Sequence, residues 1–436
     1  MTERLTLEGG PTLLVESSTV VPLVSIVLAW RSGATSDPQG KDGICRFAMR
    51  MLRRGIEGMN ATEIETAIDT LGGELGLDVG PSTMSLHGQV IRRNLKPFCD
   101  LLARIVGTPT FAEDEIARLR RESAAELVDA RDSDRTLGNI ALRRAMFGTH
   151  PFARGAAGRI STVGTFTRED TVAAYKRHLV RSDLVIGFAG AITVEEAKAF
   201  GAQLAASVSE GTRPSIDHIP EPERPKGRKL VFVDKPDRTQ TPILIGTLGS
   251  SPHDPDHFAL VLATAVFGGT FTSRMMREIR SKRGWSYGTS ARLSIERRRH
   301  AFTMSAAPGA ADCAPCVKLE LELLESLVEK GITAKELSFI KNFLVRSHAF
   351  DVDTAPKRLG HAIETEVLDL PADYHSKFLD HVKAVELDAS NAALKERLTP
   401  KDLVISVVGT ASEILDKVKE GIPDLADTEV VPFDRD

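Results

Sequence analysis

Residues 183–191 read DLVIGFAGA, and residues 402–410 read DLVISVVGT, a second copy 219 positions later. Each is an aspartate followed by a nearly unbroken apolar run, the pattern of a strand buried on both faces. Two further pairs keep almost the same spacing. VVPLVSIVLAWRSGATSDP, ending at Pro38, is matched by TQTPILIGTLGSSPHDP, ending at Pro255, 217 positions on. Asp132-Ser-Asp134 is matched by Asp351-Val-Asp353, 219 positions on. Three pairs in one order, each offset by close to half of the 436 residues, predict two similar halves. Between them Ser209–Arg228 holds Pro214, Pro220, Pro222 and Pro225 among charged residues. Proline fixes φ and lacks an N–H, so this stretch reads as an extended connector. The expected organisation is residues 1–208, a Pro-rich linker at 209–228, and residues 229–436.

Within the first half, Thr12–Glu16, Pro22–Arg31, Leu75–Val79, Ser85–Val90 and Asp183–Gly190 read as strands. Helical patterns cover Asp42–Arg54, Ala61–Leu71, Leu95–Val106, Glu113–Ala130, Asp134–Phe147, Arg168–His178 and Val194–Val208. Asn60 with Glu63 reads as a capping box. Strands grouped with helices, without strict alternation, indicate an α+β fold with a largely antiparallel sheet in each half, covered by helices.

Composition removes several classes. With 42% hydrophobic and 27% charged residues the chain is an ordinary globular protein. Its 56 Lys and Arg nearly balance 60 Asp and Glu, a net charge of −4, so no nucleic-acid or anionic-membrane partner is expected. The longest strongly apolar stretch, Val20–Trp30, is 11 residues, about half of a membrane span. The opening MTERLTLEGG has neither the basic nor the apolar region of a secretory leader. Four cysteines are too few for a disulfide framework, so the expected setting is the cytoplasm, or the periplasm if a leader has been removed. Cys313-Ala-Pro-Cys316 has no second pair to complete a zinc site and reads as two thiols in the first turn of a helix.

The stretch GICRFAMRMLRRG, residues 43–55, resembles the first catalytic helix of the pitrilysin/insulinase-type inverted zinc metallopeptidases, in the branch of the mitochondrial processing peptidase. Active members carry His-x-x-Glu-His there: two histidines one turn apart ligate zinc, and the glutamate activates water. The matching positions here are Arg46, Met49 and Arg50. A guanidinium has no lone pair to give a cation, and methionine takes no proton from water. Downstream, RESAAEL at 121–127 resembles the family's distal ligand helix, with Glu126 at the retained acid and Glu122 one turn earlier. The expectation is an ion pair between Glu126 or Glu122 and Arg46 or Arg50; the alternative is a solvated arginine stripe that includes Arg53.

The second half carries FGGTFTSRMMREIRSKRGWSY, residues 267–287, which resembles the family's second-half signature. That signature is a glycine turn, Ser-Arg, an amphipathic helix, and then Arg and Tyr seven positions apart, here Arg280 and Tyr287. The resemblance implies that these two donors hold the substrate carbonyl and its tetrahedral intermediate. Without it, Arg280 is a surface helix arginine and Tyr287 a residue packed on a strand. Other candidates read as structural. His150 lies in FGTHPF, His253 and His257 flank a turn with aspartate caps, and Arg297-Arg298-Arg299-His300 forms a hairpin turn with solvated charges.

Taken together, the resemblance implies half of a divided active site. It makes the chain the zinc-free subunit of a bacterial heterodimeric metallopeptidase, forming half of a clam-shell chamber around an unfolded peptide. It would hold no metal or cofactor itself and be inactive alone. A homologous zinc-bearing subunit would be its partner. The alternative is a non-proteolytic scaffolding or peptide-binding homologue.

Overall fold

The structure, a computed structural model, describes residues 2–213 and 219–436. Residues 214–218 of the expected linker thus lie outside the described residues. Packing divides the chain into two units. The first contains residues 1–127, 154–218 and 349–375, and the second 128–153, 219–348 and 376–436.

The first unit holds strands β1 (Glu3–Thr6), β2 (Thr12–Ser17), β3 (Leu23–Trp30), the short ribbon β4 (Gly55–Ile56) with β5 (Met59–Asn60), β6 (Glu74–Val79), β7 (Met84–Ile91) and β8 (Val185–Gly190). Its main sheet runs β1-β2-β8-β3-β7-β6. The opening sequence motif, β8, is central: parallel to β2 on one side, antiparallel to β3 on the other, and buried at all six residues. The capping box at Asn60 and Glu63 is formed, closing the helix Ala61–Thr70.

The second unit holds β9 (Arg228–Asp234), β10 (Ile243–Leu248), β11 (Ser290–Leu293), β12 (Ala301–Ala306), β13 (Leu403–Gly409) and β14 (Leu425–Pro432), in the order β11-β12-β10-β13-β9-β14. β13 is parallel to β9 and antiparallel to β10, so it repeats the environment of β8. The two sheets share five equivalent strands and differ at one edge. There β1 pairs antiparallel with β2, whereas β14 pairs parallel with β9. Both are therefore mixed sheets, with one parallel pairing in the first and two in the second.

Each sheet is covered on both faces, which is why its central strands carry no polar alternation. In the first unit Val15, Ile26, Leu28 and Phe188 face a core shared with helices Ile44–Met51, Leu95–Gly107 and Val194–Ser207. The opposite face receives helix Ala355–Val367. Gly187 makes room for it, since a Cβ there would stand 2.8 Å from Ile363 and 3.0 Å from Leu359. In the second unit helix Asp134–Phe147 takes the corresponding place over Val231, Leu244, Val404 and Val408. Gly246 there plays the part of Gly187, facing Met146 and Leu142. Each unit thus borrows one helix from the other half of the chain. Residues 128–153 and 349–375 therefore sit outside the units to which boundaries at 208 and 229 would assign them. Among the described residues no helix is long and apolar enough to cross a membrane.

The ends of the two matched strands differ in one testable respect. Gly190 has φ of +113°, and a Cβ would stand 2.1 Å from the Leu23 carbonyl oxygen. Gly409 lies outside the left-handed region and faces side-chain atoms, the nearest being Ile414 Cδ1 at 2.8 Å. Gly190→Ala should cost ~1–3 kcal/mol in backbone strain alone, plus the clash. Gly409→Ala should cost clearly less, because side chains can yield. Thermal unfolding of both variants checks this; equal losses would refute it.

Candidate functional site

Helix Ile44–Met51 begins at Gly43, in the left-handed conformation, and its free N–H groups are met by Asp37. The Asp37 carboxylate accepts from the N–H of Gly43 at 2.6 Å and of Cys45 at 3.0 Å. The Asp-Pro of the first repeat motif therefore starts this helix. Arg46 and Arg50 lie one turn apart on the same face. Met49 is fully buried in the core of the unit.

The helix Glu113–Asp129 supplies the opposing charges. Arg50 donates to both carboxylate oxygens of Glu126, at 2.8 and 2.6 Å, and to Ser123 Oγ at 3.0 Å. Arg46 reaches the same carboxylate at 3.5 Å. Of the pairings expected from sequence, the one with Glu126 is present. Glu122 instead meets Arg54 and Arg118, and the hydrogen bond from Arg54 holds its carboxyl below the ordinary range. Arg53 is not on a solvated stripe: it is bonded to Glu65 and to the Leu75 carbonyl.

These donors do not fit zinc. Arg46 and Arg50 cannot ligate, Met49 points into the core, and the one carboxylate of the set is spent on a guanidinium. A cavity of about 460 Å³ beside the helix has Arg50, Arg53, Arg54, Arg118 and Glu65 in its wall, and these arginines are already paired with Glu126, Glu65 and Glu122, so the wall presents no set of ligands to a metal. Among the described residues no group of three or more His, Cys, Asp or Glu side chains is placed to hold a metal.

In the second unit the glycine turn is required by close packing: a Cβ on Gly268 would stand 2.3 Å from the backbone nitrogen of Ala291. The segment that carries these glycines, Ala265–Gly269, and the segment Met276–Ser281 beyond it are wound as π-helix. Such turns add a residue to the helical register and are frequent at functional sites. The resemblance implied an ordinary amphipathic helix for the second segment. Arg274 anchors the loop by a two-point pair with Glu336 at 2.7 Å and a hydrogen bond to the Gly331 carbonyl. Burial alone would raise the Glu336 carboxyl, but hydrogen bonds from Arg274 and Thr333 outweigh it and bring it down to about 2.

Arg280 projects from the second π-turn. Its guanidinium lies 4.6 Å from the ring centre of Phe271 and 4.7 Å from that of Tyr287. The neighbouring acid, Glu278, is already bonded to Arg277, Lys282 and Arg283. Among the described residues the Arg280 guanidinium has no hydrogen-bond or ion-pair partner. Tyr287 is no strand-packing residue; it lies outside the strands and is 88% exposed, with Phe271 71% exposed. Phe271 went unnoticed in the sequence, because an aromatic residue in a Gly/Thr/Ser loop gives no sign of what it will stack on.

The remaining candidates are structural. His150 Nδ1 accepts from the Phe152 N–H, and its Nε2 meets the Pro220 carbonyl at 2.9 Å. His257 is buried against Ser250 Oγ at 2.8 Å, and burial pushes its pKa down to about 4 despite Asp254 and Asp256 nearby. Those aspartates are held by Arg299 and Arg397. The residues 297–300 do join two strands, but their charges are not simply solvated: Arg297 is buried, His300 is half-buried, and Arg299 pairs with Asp254. Cys313 and Cys316 are buried in the first turn of helix Cys313–Lys330, with burial raising both thiols.

Comparison with known proteins covers most of the chain. Residues 12–158 match the family model described as insulinase (peptidase family M16), and residues 165–344 match the one described as peptidase M16 inactive domain. A protein of Mycobacterium leprae named an uncharacterized zinc protease is 27% identical over 343 residues, 78% of this chain and 77% of its own length. A protein of Helicobacter pylori named a non-peptidase homolog is 19% identical over 401 residues, 91% of each chain. The crystal structure of a peptidase M16 inactive domain from Pseudomonas fluorescens superposes with a TM-score of 0.86 at 24% identity, covering 94% of this chain and 98% of that one.

Two measurements test this geometry. Glu126 is 45% and Arg50 15% exposed, so Glu126→Gln should cost no more than about 1 kcal/mol, and the loss should shrink at molar salt. A loss unaffected by salt would contradict the ion pair. Glu336 has its folded pKa near 2, below its usual value of 4.5, so its stabilising effect is full above 4.5 and fades as pH falls toward 2. The melting temperature of Glu336→Gln should fall short of the native one at neutral pH, with the gap closing in acid.

Proposed function

The chain belongs to the M16 peptidase (insulinase) family, and on that premise we propose that it is the zinc-free subunit of a heterodimeric metallopeptidase acting on unfolded peptides. The carrying observation is a contrast between its two units. The acid that would face zinc is neutralised by Arg50 and Arg46, whereas Tyr287 stands exposed and the half-buried Arg280 guanidinium is, among the described residues, free of any protein anion. A guanidinium and a phenol are donors only useful to an oxygen that arrives with the substrate. In this reading they hydrogen-bond the scissile carbonyl and gain strength as its oxygen becomes an oxyanion. A homologous subunit carrying His-x-x-Glu-His supplies zinc and the general base. The localisation proposed with it is the cytoplasm, or the periplasm for a chain shorn of a leader.

A second reading, a non-proteolytic scaffolding or peptide-binding role, is favoured by the name non-peptidase homolog borne by the Helicobacter pylori relative. Reconstitution separates the two. Alone, the chain should neither hydrolyse an internally quenched unfolded peptide nor carry stoichiometric zinc; with a zinc-bearing homologue, hydrolysis should appear. In that complex Arg280→Ala should lower kcat/KM by about 10²–10³ and Tyr287→Phe by about tenfold, with assembly intact. Full turnover in both variants would reject the assigned roles, and a stable complex without turnover would establish the scaffold.

A further inference from the structure

An exposed phenylalanine in a polar loop is an unfavourable use of apolar surface unless the ring is needed. Phe271 is such a residue: 71% exposed, outside both hydrophobic clusters of its unit, with Thr270, Thr272 and Ser273 around it. Among the described residues its one ring contact is with the guanidinium of Arg280. The ring of Tyr287 lies at nearly the same distance from that guanidinium, 4.7 Å against 4.6 Å. An arginine side chain has four rotatable bonds and loses rotamer freedom when held in one place. Here no carboxylate or carbonyl holds the guanidinium, so two ring contacts are what confine it. Stacking also leaves the in-plane N–H groups unused. An ion pair would hold the group as firmly and consume those donors.

We propose that Phe271 is a positioning residue for Arg280, clamping the guanidinium against Tyr287 so that its edge is presented to a substrate oxygen. The backbone supports the placement. The glycine turn at 268–269 leads into Phe271, with π-wound segments at 265–269 and 276–281 before and after it, and Arg274 fastens the loop to Glu336 and Gly331. The position of the ring is thereby set by the same anchored loop that leads into Arg280. The inference rests on the oxyanion role given above to Arg280 and Tyr287, and it adds a third side chain to that pair.

The test uses the full chain and three variants: Phe271→Leu, Phe271→Trp and Arg280→Ala. Because Phe271 lies outside the core, its variants should melt with the native chain. First, in the chain alone labelled with ¹⁵N-arginine, the Arg280 Nε–Hε signal, assigned by its loss in Arg280→Ala, should be displaced upfield by the rings. Phe271→Leu should move it toward the position of an unstacked arginine, and Phe271→Trp should keep it displaced. Second, in the reconstituted complex with the zinc-bearing homologue, Phe271→Leu should lower kcat about three- to fivefold with little change in KM, and Phe271→Trp should restore it. Combining Phe271→Leu with Arg280→Ala should cost nothing beyond Arg280→Ala, since the clamp would have nothing left to hold. An unmoved Arg280 signal in Phe271→Leu, or native kcat in that variant while Arg280→Ala is impaired, would overturn the proposal. Native turnover in Arg280→Ala would instead remove the reading on which it rests.

Discussion

A carboxylate on a helix facing another helix needs a positive partner, and the identity of that partner decides what the first unit can do. At Glu126 the partner is a guanidinium. Arg50 matches the two carboxylate oxygens with two parallel N–H donors, a geometry with directional as well as electrostatic preference. A metal ion satisfies the same charge but needs further lone pairs, which the helix Ile44–Met51 does not offer. The local chemistry has closed around that substitution. Arg54 and Glu122 repeat the pairing one turn away, Arg53 is drawn to Glu65, and Met49 is packed into the core where a water-activating acid would need solvent.

The second unit departs from the first in the opposite direction. Its loop between the π-wound segments is fastened by Arg274 and Glu336. The consequence is a side chain left deliberately unsatisfied by protein groups. Arg280 is surrounded by Arg277, Lys282 and Arg283, all of which converge on Glu278. Among the described residues its charge is met by the rings of Phe271 and Tyr287, which attract it without occupying its donors.

Both units express one architecture because the same three-strand arrangement lies at the centre of each. A strand parallel to one neighbour and antiparallel to the other recurs as β8 and β13. Helices on both faces make burial complete, so side chains must be small where a helix crosses closely, as at Gly187 and Gly246. The edges are free to differ because an edge strand has only one neighbour to satisfy. The first unit fills that place with β1, from the beginning of the chain, and the second with β14, from its end.

Much of this was legible in the order of residues. The 219-residue repeat, the strand periods, the Asn60 cap and the loss of His-x-x-Glu-His are local patterns, and local patterns survive without knowledge of distant contacts. The chemistry of Arg46, Met49 and Arg50 likewise needs no coordinates, because a guanidinium cannot ligate a cation in any fold. Tertiary structure decided the rest. It chose Glu126 over Glu122 as the partner of Arg50, sent the helices 134–147 and 355–367 to the sheets of the other halves, buried Arg297 in a turn that looked solvated, and set Phe271 against Arg280. Each of these outcomes depends on which side chain arrives from far along the chain, and composition or spacing within a segment carries no record of that arrival.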